Sequence, residues 1–188
     1  APIHCEEISV EGALPRNYSL FDSFDVVSAE ALPISQNWNA ADVSKSLAAP
    51  IGVNAKGEII TLDIHERAHG PHGLVAGTTG SGKSEFLQSY IAGMSICYAP
   101  QEVAFLIIDF KGGGMANQLK SLPHLVGTIT NIDGREITRS LRSIKAELEK
   151  RQRFFDAVKV NHIDKYITLY KSGQTKTPLP HLVIVVDE

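Results

Sequence analysis

Apolar residues along this chain fall into short continuous runs, separated by stretches with helical spacing. Three of the runs predict strands buried in a sheet: Gly73–Ala76, Val103–Ile108 and Leu182–Val186. Apolar positions recur every three or four residues over residues 83–98 and again beyond residue 133, which predicts two helices. Strands that alternate with helices in this way are typical of an α/β fold, in which helices cover a parallel sheet.

The two predicted helices carry different surfaces. The first presents one apolar side to the core, formed by Leu87, Tyr90, Ile91, Met94 and Cys97. The second begins at a capping box, Asp133 and Glu136, and its apolar side consists of Ile137, Leu141, Ile144, Leu148 and Phe155. Its opposite side mixes charges of both signs and is expected to be solvated: Arg139, Arg142, Lys145, Glu149 and Lys150. Residues 125–130 predict a further short strand.

The first 50 residues differ from the rest of the chain. They hold no helical or strand period for long, yet they contain too many large apolar side chains for a disordered segment. We interpret residues 1–50 as a lead-in that packs on the core, with Trp38 as one anchor. Two apolar segments, Ile51–Val53 and Ile59–Asp63, flank a turn and predict a β-hairpin at the start of a core that spans residues 51–188.

The segment between the first predicted strand and the first helix fits the phosphate-binding pattern G-x-x-x-x-G-K-[ST] at every fixed position. Its glycines allow a tight turn that points successive N–H groups at one anion, and the following helix adds the positive end of its dipole. The lysine would reach the β and γ phosphates, and the last hydroxyl would hold Mg²⁺. The sequence therefore predicts a nucleoside triphosphate site formed by Gly77, Thr78, Thr79, Gly80, Ser81, Gly82, Lys83 and Ser84.

Two acids end the last predicted strand, where parallel strands deliver side chains to a ligand crevice. Asp187 is expected to hold Mg²⁺, and Glu188 to orient or deprotonate the water that attacks the γ phosphate. Two acids can also simply end a strand at the surface, but the phosphate loop upstream favours the catalytic interpretation. Lys83 and Glu188 are thus the predicted catalytic residues, and Ser84 and Asp187 are the predicted metal ligands.

Four other residues are weaker candidates. Asp109 also ends a predicted buried strand, and it can either face the crevice or only shape a loop. Lys111, before three glycines, can contact a substrate or a neighbouring subunit, or lie in a flexible loop. His69 and His72 have no further metal ligands at useful spacing, so we expect them to shape the entry to the first strand rather than bind zinc.

Composition limits the possible partners and cellular compartment of this chain. The formal net charge of −3 argues against a broad nucleic-acid surface. The two cysteines, Cys5 and Cys97, have neither a metal-site nor a disulfide spacing, which favours a reducing cytoplasmic compartment. No signal peptide is recognisable and the apolar runs are too short to cross a bilayer, so a membrane tether would lie outside this chain.

The flanks of the phosphate loop carry a family resemblance. The segment 69–85, which reads HGPHGLVAGTTGSGKSE, resembles the FtsK/SpoIIIE-type motor ATPases, and within them the EssC/EccC ATPases of type VII protein secretion. Three further segments support that branch: Leu106–Gly114, Leu122–Asn131 and Pro180–Glu188. The resemblance covers most of the chain from about residue 47 onward.

This resemblance implies a RecA-like P-loop fold that binds ATP and Mg²⁺ and hydrolyses ATP. It also implies one of several ATPase modules in a motor tethered to the cytoplasmic side of the bacterial membrane. Such motors act as ring-shaped hexamers and drive small helical WXG-type proteins across the membrane. In RecA-like sheets, a strand from later in the sequence separates the two strands that carry the site. Since nothing follows Glu188 here, we expect a core truncated after that strand, with residues 73–76 lacking a sheet neighbour.

Two alternatives remain open. A DNA translocase of the same family would share the phosphate loop, but the mildly acidic charge and the lack of an aromatic and basic strand-binding surface argue against it. A regulatory module would bind nucleotide or substrate with little hydrolysis. The intact pair of Asp187 and Glu188 argues against that second alternative.

Overall fold

A computed structural model describes residues 14–15, 17–110, 112–130 and 134–187, with residues 134–137 described by their backbone alone. Two short 3-10 turns, Asp22–Phe24 and Ala29–Ala31, precede the main elements. The helices of the described chain are α1 (Ile34–Ala40), α2 (Lys83–Cys97), α3 (Gly114–Leu119), α4 (Gly134–Ala157) and α5 (Ile163–Lys171). Its strands are β1 (Ala48–Val53), β2 (Ile59–Asp63), β3 (Val103–Asp109), β4 (Leu125–Ile129) and β5 (His181–Asp187).

β3 is the centre of a three-stranded parallel sheet with the order β4-β3-β5. Phe105 lies opposite Val183 of β5, and Asp109 lies opposite Asp187, so both strands end at the same edge of the sheet. Phe105 and Ile107, which point to one face of the sheet, have no exposed surface, and Leu106 and Ile108 on the other face are half-buried. The predicted α/β fold with a parallel sheet is therefore confirmed.

β1 and β2 form the predicted antiparallel hairpin, which is a second, smaller sheet. Asn54 organises its turn, because the side-chain Oδ1 accepts the N–H groups of Lys56 at 2.9 Å and Glu58 at 3.0 Å. Gly57 completes the turn with a φ of 79°, a conformation that glycine adopts without strain. Since β1 begins at Ala48, the hairpin crosses the predicted boundary between lead-in and core at residue 50.

α2 packs against the hairpin with the apolar side that its sequence predicts. Ile91 and Met94 on this side are 1% and 0% exposed, and Tyr90 is buried beside them. Tyr98, which follows the helix, donates its hydroxyl to the carbonyl of Ala48 at 2.8 Å. The apolar core therefore lies between α2, the hairpin and the main sheet.

Trp38 of α1 anchors the preceding segment to α2, as the sequence predicts. Its indole N–H donates to the carbonyl of Ser95 at 3.0 Å. Its ring also stands edge-on to His124, with 5.7 Å between the ring centroids. The formal division of the chain at residue 50 stays a prediction.

The predicted strand Gly73–Ala76 is not formed, and the expectation of a buried strand there is wrong. These residues have no regular secondary structure, and Leu74 is 93% exposed. A strand needs a neighbour that takes up its N–H and C=O groups, and no strand of the described chain pairs with this segment. An apolar sequence is insufficient without that partner.

The second half of the chain departs from prediction at three helices, of which α3 is absent from the sequence predictions. α4 forms where the spacing predicts it, but Leu141 and Leu148 on its apolar side are 61% and 58% exposed. Its predicted cap, Asp133, lies outside the described residues. α5 is absent from the sequence predictions because its cap is unusual: His162 Nδ1 accepts the N–H of Asp164 in place of a serine or aspartate oxygen. Among the described helices, none combines the length and apolar character needed to cross a bilayer.

Candidate functional site

The ends of β3 and β5 meet the N-terminus of α2 at one edge of the main sheet. Ser84, in the first turn of α2, donates its hydroxyl to Asp187 Oδ2 at 2.8 Å, although 103 residues separate the two along the chain. Asp187 ends β5 and is only 6% exposed. The structure thus brings together the two side chains that the sequence assigns to one metal ion.

The loop before α2 has the backbone that its glycines allow. Gly80 and Gly82 have φ values of 77° and 87°, in the left-handed region that disfavours residues with a Cβ atom. The N–H of Ser81 donates to the carbonyl of Thr78 at 3.1 Å and closes the turn. Gly77 differs from these two, because a Cβ atom there would collide with Ser81 Oγ and the serine side chain would have to turn away. The shape of the loop therefore depends most directly on Gly80 and Gly82.

The start of α2 and Lys83 form a positively polarised surface over this loop. No side chain caps the N-terminus of α2, so the N–H groups of its first turn can point at an anion. Lys83 Nζ donates to the carbonyls of Gly77 at 2.9 Å and Thr78 at 3.1 Å. Phosphate oxygens are stronger acceptors for an ammonium group than neutral carbonyls, so Lys83 is positioned to exchange these bonds for a bound phosphate.

The loop and the acids behind it differ in their access to solvent. Residues 71–81 are exposed throughout, whereas Asp187 and Asp109 are 6% and 1% exposed. Asp109 Oδ2 accepts the N–H of Met115 at 3.1 Å and so holds the glycine turn between β3 and α3. Its register position opposite Asp187 puts it at the same sheet edge as the candidate site.

The remaining sequence candidates have varied outcomes. Glu188 and Lys111 lie outside the described residues. His69 shapes the chain ahead of the loop, because its Nδ1 accepts the N–H of Asp63 at 3.0 Å. His72 is exposed in the same segment.

A second polar group, which no sequence motif predicts, lies at the opposite end of β5. We call it the histidine cluster; its members are His65, Glu66, His162, Asp164 and His181. These residues come from three distant parts of the chain, so no local motif marks them. The one available signal is that the cluster contains three of the chain's seven histidines.

Comparison with known proteins agrees with the motifs. The model of the FtsK/SpoIIIE family matches residues 33–188. The type VII secretion system protein EssC of Staphylococcus aureus is 52% identical over 186 residues, which are 99% of this chain and 12% of EssC. This chain therefore spans a small part of the length of that relative.

Two solved structures from Thermomonospora curvata resemble the fold. The cytoplasmic domain of the type VII secretion ATPase EccC matches with a TM-score of 0.84 and 30% identity, covering 93% of this chain and 21% of that one. EccC ATPases 2 and 3, in complex with a signal sequence peptide, match with a TM-score of 0.64 and 29% identity, covering 76% of this chain and 26% of that one.

Proposed function

Because this chain belongs to the FtsK/SpoIIIE family, we propose that it is an ATP-binding and Mg²⁺-dependent ATP-hydrolysing module of a type VII secretion motor. The observation that carries this proposal is the 2.8 Å hydrogen bond between Ser84 and Asp187, directly behind the glycine-rich loop. A hydroxyl and a buried carboxylate meet there beside an uncapped helix N-terminus. That combination suits a triphosphate with its metal ion.

The loop would bind the phosphates through its backbone. Residues 77–84 would direct their N–H groups at the β phosphate, and the dipole of α2 would add to the attraction. Lys83 would leave the carbonyls of Gly77 and Thr78, to which it now donates, and pair with the β and γ phosphates. Binding would therefore replace two neutral acceptors of the lysine by charged ones.

The donor set behind the loop fits Mg²⁺, because this ion prefers hard oxygen ligands. Ser84 and Asp187 would hold it, and its charge would offset that of the phosphates. Asp187 would act through its carboxylate at the end of β5, where burial keeps it in place. Glu188, the next residue, would orient or deprotonate the attacking water.

The module would work within a larger assembly. We propose a ring of copies, tethered to the cytoplasmic side of the membrane through segments outside this chain, that exports small helical WXG-type proteins. The signal sequence peptide bound to T. curvata EccC supports an export role in this branch. The TM-score of 0.84 against the EccC cytoplasmic domain exceeds the 0.64 against ATPases 2 and 3 alone. That difference favours a module other than those two.

A regulatory nucleotide-binding module with little hydrolysis is the second candidate. The observation that favours it is the exposed, irregular segment 73–76, since a catalytic loop is usually held by a strand. The two candidates agree on nucleotide binding and differ on turnover. One measurement of nucleotide binding and one of turnover therefore distinguish the two candidate functions.

The binding measurement uses a non-hydrolysable ATP analogue with Mg²⁺ and the variant Lys83→Ala. We expect an affinity loss of roughly 100-fold, because charged hydrogen bonds of about 3 kcal/mol in total disappear. The matched control is Lys56→Ala, an exposed lysine of the hairpin turn, which should bind like the wild type. Equal binding by all three proteins would refute the phosphate site.

The turnover measurement uses the full-length protein that contains this module. Glu188→Gln should retain ATP binding but lose most ATP hydrolysis and secretion. Unchanged rates in this variant would favour the regulatory candidate. Stimulation of hydrolysis by double-stranded DNA would instead favour a DNA translocase.

A further inference from the structure

The histidine cluster lies where the hairpin approaches the main sheet, at the end of β5 remote from Asp187. His65 and Glu66 follow β2, His162 and Asp164 begin α5, and His181 begins β5. The cluster therefore joins three elements that are distant in sequence. It shares no residue with the phosphate loop or with the acids behind it.

Asp164 is the central member of the cluster. Its side chain is 8% exposed, and neither carboxylate oxygen has a hydrogen-bond partner among the described residues. Three imidazoles face it instead: His65 Nε2 at 3.3 Å, His162 Nδ1 at 3.4 Å and His181 Nε2 at 3.5 Å. A buried carboxylate without hydrogen bonds is costly unless a positive charge compensates it.

Two of these imidazoles leave Asp164 without a hydrogen bond. His181 Nε2, 3.5 Å from Asp164 Oδ1, and His65 Nε2, 3.3 Å from Asp164 Oδ2, have no hydrogen-bond partner among the described residues. The buried carboxylate and the two ring nitrogens that face it are therefore all unsatisfied. A cation bound by the carboxylate would compensate its charge.

Glu66, His162 and Asp164 provide an arrangement that would supply this charge through a bound cation. Each offers one ligand atom, and the three atoms lie within 4.8 Å of one another. His162 lies 3.1 Å from Glu66 through Nε2 and 3.4 Å from Asp164 through Nδ1, and only one of these nitrogens would bind the ion. Bonds of about 2.0–2.2 Å to a tetrahedral zinc ion put its ligand atoms roughly 3.3 Å apart. One carboxylate therefore already lies at ligand spacing from His162, and the other would move closer when the ion binds.

We propose that Glu66, His162 and Asp164 form a binding site for one divalent transition-metal ion of the zinc class. Imidazole with carboxylates suits zinc better than Mg²⁺ or Ca²⁺, which prefer oxygen ligands throughout. Glu66 and His162 reach the surface, so the ion has an entry path, while Asp164 forms the buried wall. The bound ion would tie the end of the hairpin to α5, directly ahead of the segment that leads to the phosphate loop.

Zinc binding by the whole 188-residue chain tests the site without any measurement of activity. After removal of metals with a chelator, we expect isothermal titration with ZnCl₂ to give one site per chain and a raised melting temperature. Glu66→Gln and His162→Gln should each weaken binding at least roughly tenfold. Glu66 is exposed, so its variant should fold even if Asp164→Asn does not. His72→Gln, which changes an exposed histidine outside the cluster, is the matched control.

The outcomes separate this site from adventitious binding. A cobalt-loaded chain should lack thiolate charge-transfer absorption, because the proposed ligands include no cysteine. Absence of stoichiometric zinc binding would overturn the proposal. Binding that persists in both Glu66→Gln and His162→Gln, or that disappears in His72→Gln, would overturn it as well. Since the nucleotide measurements use other residues, failure here leaves the proposed function unaffected.

Discussion

Two of the apolar segments that lead to the candidate site have opposite outcomes, since one becomes a central strand and the other forms no strand. β3 lies between β4 and β5, and its residue Phe105 is completely buried. Gly73–Ala76, which leads into the phosphate loop, has no regular structure, and Leu74 and Val75 are 93% and 40% exposed. The difference lies in their neighbours, since β3 has a strand on each side and residues 73–76 pair with none of the described strands.

β5 shows that backbone pairing alone does not bury a side chain. It pairs with β3 along its whole length, and β3 is its only neighbour among the described strands. Ile184 and Val186, which point to one face of the sheet, are 43% and 59% exposed, whereas Val183 and Val185 on the other face pack against the core. An apolar run thus indicates a tendency to be buried; strand neighbours decide whether it pairs, and the cover over each face decides which side chains are buried.

The largest expected effect is a difference in the free energy of unfolding between a substitution in β3 and one in residues 73–76. Phe105→Ala should lower the free energy of unfolding by about 3–5 kcal/mol, because it opens a cavity in the core. Leu74→Ala should change it by less than about 0.5 kcal/mol, since the side chain is already in water. Denaturant unfolding followed by circular dichroism measures both. Similar losses in the two variants would mean that the segment before the loop is packed.

Asp187→Asn tests whether the buried carboxylate behind the exposed phosphate loop is a Mg²⁺ ligand. We expect the affinity for Mg²⁺ in the presence of nucleotide to fall at least roughly tenfold, because a neutral amide is a poorer ligand for a hard cation. Asp156→Asn removes a carboxylate from exposed α4 and serves as the control. Titration of Mg²⁺ at fixed nucleotide measures the effect. A variant that keeps the wild-type Mg²⁺ dependence would contradict the assignment.

Trp38→Phe tests how firmly the lead-in is anchored to α2. An aromatic ring remains, but the smaller phenyl loses the hydrogen bond to the carbonyl of Ser95 and part of the indole contact, so we expect a destabilisation of at least about 1 kcal/mol. Val27→Ala, at a position that is 96% exposed, provides a reference in the same segment. Thermal unfolding of the two variants gives the comparison. If both melt like the wild type, α1 does not anchor the lead-in.

The smallest expected effect is a pH dependence of the free energy of unfolding, caused by the buried His124. Burial lowers the pKa of His124, whose Nε2 lies 2.7 Å from the carbonyl of Tyr98. The unfolded chain therefore binds more protons below about pH 6.5, so stability is complete above that pH and decreases as the pH falls. His124→Gln should reduce the slope of stability against pH in this range, whereas His72→Gln, exposed in the loop segment, should not. A slope that is equal in all three proteins would argue against a buried neutral His124.

Much of the fold follows from patterns that are local in sequence. The spacing of apolar residues predicts α2 and the buried face around Ile91 and Met94, as the structure has it. The hairpin around Asn54 and the strands β3, β4 and β5 are likewise predicted. The family resemblance is confirmed by the match over residues 33–188. Two of the misses, the strand at Gly73–Ala76 and the exposed leucines of α4, are failures to know which surface would cover an apolar face. The short helices α1, α3 and α5 are also absent from the sequence predictions.

The phosphate loop is the part of this protein that its sequence determined by itself. Gly80 and Gly82 specify left-handed backbone angles, and Gly77 avoids a collision with Ser81, because sterics within a few residues decide all three. Tertiary structure alone decided the hydrogen bond of Ser84 to Asp187 and the meeting of His162 with Glu66, across 103 and 96 residues of chain. Such contacts depend on how helices and strands pack, and no short-range pattern encodes that.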